Sequence, residues 1–176
     1  MQILHPFLRI MKNTTKILTH SALIGSLYVV LTLFQNIMFP ESTSYAIQFR
    51  ASEALCVLAF FTPAAVFGLT VGCLLFNLTY AVGPLDIILG PLATLLAAGG
   101  MYLTRNWKIK RFPLLGLLLP GVFNGLLVGL SLSIYIGGGF WLNALYVAIG
   151  EWAVLLTLGT ALYYAISHRD LQKRIF

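Results

Sequence analysis

The feature that most constrains this chain is a succession of apolar runs, each near bilayer length, that follow one another from Ile17 to Ser167. A helix needs about 20 mostly apolar residues to cross the hydrocarbon core. Pro, Gly and polar clusters divide the chain into six such runs, with expected bounds 17–39, 47–61, 63–80, 84–104, 113–136 and 140–167. Composition agrees. Of 176 residues 59% are hydrophobic and 9% charged, whereas soluble domains carry about a quarter charged residues. The expected fold is all-α: an integral membrane bundle of six transmembrane helices, forming a single domain over residues 1–176.

Local signals set the boundaries. Pro40 and the polar "ESTS" after it stop the first run. The second, within "AIQFRASEALCVLAFF" (Ala46 to Phe61), is short for a full crossing. Thr62 and Pro63 supply an N-cap and a first helical residue for the third. "AVGP" at Ala81 to Pro84 is a turn, "RNWKIKRF" a basic loop, and "GGG" at Gly137 to Gly139 a break. The opening "MQILHPFLRIMKNTTK" is basic, but the run after it is too long for a signal-peptide core and lacks a small-residue cleavage site. The first span is therefore expected to remain in the mature protein.

The basic residues test this parse. Six spans put both termini and the loops after spans two and four on one side. Arg9, Lys12, Lys16, Arg105, Lys108, Lys110, Arg111, Arg169, Lys173 and Arg174 all fall there, ten of the eleven Lys and Arg. The positive-inside rule makes that side cytoplasmic, so both N- and C-termini are expected in the cytoplasm. Arg50 is the exception and lies outside. The basic loops read as topology signals, not as nucleic-acid sites.

Of five carboxylates, Glu41 and Asp170 lie in a loop and the tail. Glu53, Asp86 and Glu151 lie inside spans, where an ionisable group is unfavourable and marks a candidate site facing the protein interior. At about 1.5 Å rise per residue, Asp86 falls in the first turn of span four and Glu53 about two turns into span two. Glu151 falls about three turns into span six, near the membrane middle. Asn77 lies one turn from the outer end of span three and Asn124 near mid-membrane. These groups occupy the outer halves of their spans while the inner halves are nearly bare, which implies a pocket open to the outside. The aromatics Tyr45, Tyr80, Tyr135, Phe140, Trp141, Tyr146 and Trp152 crowd the same level. Many suit an interfacial belt, whereas Trp152, beside Glu151 and deeper, is a candidate stacking wall.

Simpler roles compete. Asp86 suits the positive end of a helix dipole, Arg50 could pair with Glu53 one turn on, and Asn77 and Asn124 could be interhelical hydrogen-bond glue. Glu151 resists such a reading. No basic residue lies at its depth, so in an empty site it must be protonated, hydrogen-bonded or wet, and a cationic or donor-rich ligand would satisfy it.

Catalytic patterns are missing. There is no GxxxxGK phosphate loop. His5, His20 and His168 lie at or beyond the cytoplasmic edge without metal-ligand spacing. Cys56 and Cys73 read as small core residues. No enzyme, metal or cofactor is expected.

Six short helices, an outward pocket and no ATPase resemble the substrate-binding S components of energy-coupling-factor (ECF) transporters. "IQFRASEAL" (Ile47 to Leu55), "GLTVGCLLFNL" (Gly68 to Leu78) and "LDIILGPLATLLAA" (Leu85 to Ala98), with "FNG" (Phe123 to Gly125) and "GEW" (Gly150 to Trp152), resemble the QueT family over nearly the whole chain. The resemblance implies a multi-pass protein of the bacterial plasma membrane. It would take up a queuosine precursor, chiefly 7-aminomethyl-7-deazaguanine, with an ECF transmembrane coupling subunit and two ATPase subunits as partners. Such a ligand offers a ring N–H and an amine to one carboxylate, an ammonium to another, and a flat ring to Trp or Tyr. The expectation places Glu151 and Glu53 on its donors, Asn77 and Asn124 on ring edges, and Trp152 against the ring. Arg50 and Glu53 are expected at the outer mouth of the pocket, Glu53 facing in and Arg50 bracing it or the loop above. Asp86, at the outer surface, is counted with the site, and a lid role for the loop 40–45 stays open. Small residues on the first helix, Ala22 and Ser26 with Gly25 beside them, are the expected docking face. Ser26 departs from the more usual Ala, and Pro91 stands where Ser is expected.

Three other readings stay open: an S component for another heterocyclic vitamin, a stand-alone proton-coupled carrier using Glu151, and a structural membrane subunit. The carrier would favour internal repeats and ionisable residues reaching the cytoplasmic half. Neither is visible.

Overall fold

The computed structural model describes residues 4–40, 49–109 and 112–168, with side chains from residue 14 onward. Helix α1 runs Leu4–Met38, α2 Pro63–Tyr80, α3 Asp86–Leu103, α4 Leu114–Tyr135, α5 Phe140–Val154 and α6 Thr160–His168. The described residues contain no strand, only an isolated bridge between Ile109 and Phe112 in the turn before α4. Five helical stretches are long and apolar enough to cross a membrane, the last being the continuous rod Phe140–His168.

The expected second span differs. Over Ala51–Phe60 the chain forms a 3₁₀ helix of 10 residues, in which Ser52 through Phe60 are all buried. At about 2.0 Å rise per residue such a helix reaches only about 20 Å, less than the hydrocarbon thickness. It therefore sits inside the bundle, packed against α1, α2, α3 and α5, rather than crossing as an independent lipid-facing helix. Glu53 is consequently in its first turn, not two turns deep. Residues 41–48, including Glu41, Tyr45, the start of that span and nearly all of the suggested lid, lie outside the described residues, as do Lys110, Arg111 and the basic tail from Arg169.

Neighbouring helices pair in sequence order, α1 with α2, α2 with α3, α3 with α4 and α4 with α5. Small residues set how closely two of these pairs approach. A Cβ at Gly68 would lie 2.5 Å from the Ser21 carbonyl oxygen, and one at Gly72 would lie 2.9 Å from that of Gly25. At Gly129 on α4 the corresponding neighbour is the Ala144 backbone on α5, at 2.7 Å. Without a hydrophobic drive between helices in lipid, such close backbone contact is the main source of packing energy. The inner core gathers Tyr28, Val57, Leu69, Met101 and Leu117 around the 3₁₀ helix. Leu18, Phe34, Leu103 and Trp141 face outward, as lipid-facing side chains should.

Several boundaries follow the sequence signals. Thr62 caps α2 by accepting from the Ala64 N–H, with Pro63 at the first helical position. Gly137, Gly138 and Gly139 all take positive φ, between 84° and 89°. L-residues with a Cβ resist that backbone, so three glycines suit the break, and Asn143 steadies it by donating to the Gly137 carbonyl at 2.7 Å. The rod Phe140–His168 carries a π-helical turn at Leu155–Gly159 that no sequence signal announced.

Candidate functional site

Seven side chains named from sequence are Arg50, Glu53, Asn77, Asp86, Asn124, Glu151 and Trp152. The first six are all buried, from 1% to 7% exposed. They come from five elements. The 3₁₀ helix brings Glu53, with Arg50 at its N-cap. Helix α2 brings Asn77, α3 Asp86, α4 Asn124 and α5 Glu151. The charge of Arg50 reaches Glu53 and Asp86, and Glu151 feels both Arg50 and Glu53, so these groups share one electrostatic neighbourhood.

The contacts divide them. Asn77 donates through Nδ2 to the Asp86 carbonyl at 3.0 Å, joining α2 to the first turn of α3, and its amide lies against Gly90, where a Cβ would be 2.3 Å away. Asn124 donates to Glu151 Oε1 at 3.1 Å, joining α4 to α5. The Arg50 guanidinium lies over the Phe76 ring, 5.6 Å from its centroid, and Phe76 in turn stacks on Tyr80.

Glu53 is held from both sides. Tyr28 on α1 donates its hydroxyl to Oε1 at 2.5 Å, and the Cys56 thiol points at Oε2 at 3.2 Å. Two more α1 side chains grip the same segment. Thr32 donates to the Ser52 hydroxyl at 2.7 Å, while Gln35 accepts from the Ala51 N–H at 2.7 Å and donates to the Phe49 carbonyl. Tyr28, Thr32 and Gln35 follow one another at helical spacing, a polar stripe inside the first apolar run that could have been read from sequence.

Among the described residues four buried polar atoms have no hydrogen-bond partner: Asn77 Oδ1, Asp86 Oδ1, Ser131 Oγ and Glu151 Oε2. They sit on four consecutive helices. Such an atom costs about 1–3 kcal/mol when left unsatisfied in a protein interior, and most buried polar groups find partners. Three of the four belong to residues already expected at the site. Ser131 was missed, although it follows Asn124 by seven residues and so shares its helix face.

Trp152 is turned to α4. Its indole N–H donates to the Leu118 carbonyl at 3.0 Å, and the ring fills the space over Gly121, where a Cβ would fall 2.1 Å from Nε1. That contact braces the α4–α5 seam. Tyr135 acts similarly at the other end of α4: its ring covers Gly83 and its hydroxyl accepts from the Leu85 N–H at 3.1 Å.

The expected docking residues lie on α1. Ala22 and Ser26 are exposed and Gly25 is buried, its α-carbon so near α2 that a Cβ would meet the Gly68 carbonyl oxygen at 2.8 Å. All three line an apolar groove of about 540 Å³ between α1 and α2, with Phe67, Val71 and Leu75 across it. Among the described residues no group of His, Cys, Asp and Glu is arranged to hold a metal ion.

Five membrane-length helical stretches with buried polar side chains between them define a multi-pass membrane protein. The chain belongs to the QueT transporter family, whose model matches residues 18–168. A curated relative, the queuosine precursor transporter QueT of Lactococcus lactis subsp. cremoris (strain MG1363), is 35% identical over 85 residues, 48% of this chain and 48% of the relative. The match thus covers about half the length of each. No solved structure matches.

Proposed function

We propose that this protein is the substrate-binding S component of an ECF-type importer and captures 7-aminomethyl-7-deazaguanine from outside the cell. The observation that carries the reading is the set of buried acceptor oxygens without donors: Glu151 Oε2, Asp86 Oδ1 and Asn77 Oδ1. A ligand rich in N–H donors and carrying one ammonium supplies what they lack. The relative's printed role in queuosine precursor transport points to the same ligand class.

The contacts refine the expected roles. Glu53 has both oxygens engaged within the protein, so it acts as a brace between α1 and the 3₁₀ helix. Its place on the ligand passes to Asp86. Asp86 and Glu151 then take the donor-bearing ends, Asn77 and Asn124 the ring edges, and Trp152 stiffens the wall behind Glu151 through Leu118. Arg50, over Phe76, balances the negative charge of the site. Both termini face the cytoplasm, with the 3₁₀ helix completing the six-segment topology. The α1–α2 groove, with Ala22 and Ser26 on its rim, serves as the face for an ECF transmembrane coupling subunit that works with two ATPase subunits.

The test is calorimetric titration of the purified chain in detergent with 7-aminomethyl-7-deazaguanine, guanine, riboflavin, thiamine and biotin. One-to-one binding of the deazaguanine in clear preference to the vitamins is expected. Binding of a vitamin alone, or of nothing by a monodisperse sample, would overturn the assignment.

A further inference from the structure

Ser131 is unlike the other buried hydroxyls among the described residues. Thr32, Ser52, Thr62 and Thr94 are the other buried Ser and Thr side chains among the described residues, and each has a partner: Thr32 and Ser52 bond one another, Thr62 caps α2, and Thr94 closes on the Gly90 carbonyl one turn back. A serine in a helix ordinarily makes that same backward bond, as Ser133 does to Leu130. Ser131 is fully buried, and its Oγ has no partner.

Register says where it points. On α4 the buried positions Leu117, Asn124, Val128 and Ser131 share one face. Gly125 and Gly129, to one side of it, meet the α5 backbone at Ala144. Leu119 and Phe123, on the other side, lie against Gly100 of α3. The face between is the bundle interior, where Asn124 already reaches Glu151. Ser131 is two turns from Asn124, about 10 Å along the axis, toward the end where Tyr135 holds Leu85, the residue before Asp86.

The four unsatisfied atoms also differ in chemistry. Asn77 Oδ1 and the oxygens of ionised Asp86 and Glu151 can only accept; the Ser131 hydroxyl can donate. The hydroxyl can accept as well, but it is the one group of the four able to meet a ligand acceptor, so a ligand that carries donors and also an acceptor on the edge facing α4 uses all four to the full. We infer that Ser131 is a specificity-determining ligand contact, donating its hydroxyl to the carbonyl oxygen of a lactam ring and so selecting 6-oxo over other purine-like heterocycles. The inference rests on the proposed function and adds to it a residue and a discriminated ligand atom.

A ligand–mutant cycle tests it. Wild type and Ser131→Ala are titrated with 7-aminomethyl-7-deazaguanine and with its analogue lacking the 6-oxygen. Ser131→Ala should bind the parent about tenfold more weakly, one neutral hydrogen bond's worth, and bind the analogue as wild type does. Its ligand-free melting temperature should stay level or rise, since an unsatisfied buried group has been removed. A purely structural serine would instead weaken both ligands alike. Equal weakening, or none with the parent, overturns the role of Ser131 while leaving the transport reading intact. Failure of wild type to bind the parent overturns the transport reading and the inference with it. If Ser131→Ala does not fold, Ser131→Cys, nearly isosteric with a weak donor, carries the same comparison.

Discussion

Individual carboxylates in this bundle take their roles from what already touches them. Glu53 and Glu151 look alike in sequence, each an acid inside an apolar run. In the fold Glu53 receives Tyr28 and Cys56, whereas Glu151 receives Asn124 on one oxygen and nothing on the other. Opposite responses to substitution follow. Tyr28→Phe leaves Glu53 Oε1 without its buried donor and should destabilise the protein by about 1–3 kcal/mol, read as a lower melting temperature in detergent. Its effect on ligand affinity should be small by comparison. Trp152→Phe keeps an aromatic ring but removes the N–H bond to Leu118 and part of the packing over Gly121; a drop in stability of about 1 kcal/mol or more, with ligand affinity nearly unchanged, would agree with a bracing role. A stacking wall would instead show a loss of affinity.

Elements were legible to different degrees, and the reasons are physical. Thr62-Pro63, the Gly137 to Gly139 break and the apolar lengths of α2, α3 and α4 are local signals, and the helices obey them. The segment after Arg50 was not legible as a 3₁₀ helix. Its tight winding is unusual over ten residues and depends on burial by neighbouring helices and on the grip of Thr32 and Gln35, contacts that periodicity cannot reveal. The π-helical turn at Leu155–Gly159 likewise had no signature. Candidate site residues stand out in the sequence where charge marks them, as with Asp86 and Glu151, and do not where only a missing partner marks them, as with Ser131. At this scale Gly68→Leu should separate α1 from α2, since even a Cβ there would press on the Ser21 carbonyl. A loss of roughly 2 kcal/mol or more is expected, with the α1–α2 groove distorted. Unchanged thermal stability would contradict the close crossing.

Across the described residues an apolar exterior encloses a mainly apolar core that holds a minority of buried polar side chains. In the sequence, ten of the eleven Lys and Arg fall in loops and ends expected on one side of the membrane. That asymmetry makes a topological prediction. Cysteines placed at Lys108 and at Ile136, exposed beside the glycine break, should label from opposite faces of intact cells, the first protected from a membrane-impermeant maleimide and the second reactive. The reverse pattern would invert the orientation and put the polar cluster's mouth on the cytoplasmic side, against capture from outside. The central claim, though, is that the protein's unsatisfied buried oxygens are its ligand contacts. Calorimetry of wild type beside Glu151→Gln tests it most directly. The account predicts one-to-one binding of 7-aminomethyl-7-deazaguanine by wild type and a loss of roughly tenfold or more in Glu151→Gln, with the variant still folded and monodisperse. Equal affinity of the two proteins would contradict it.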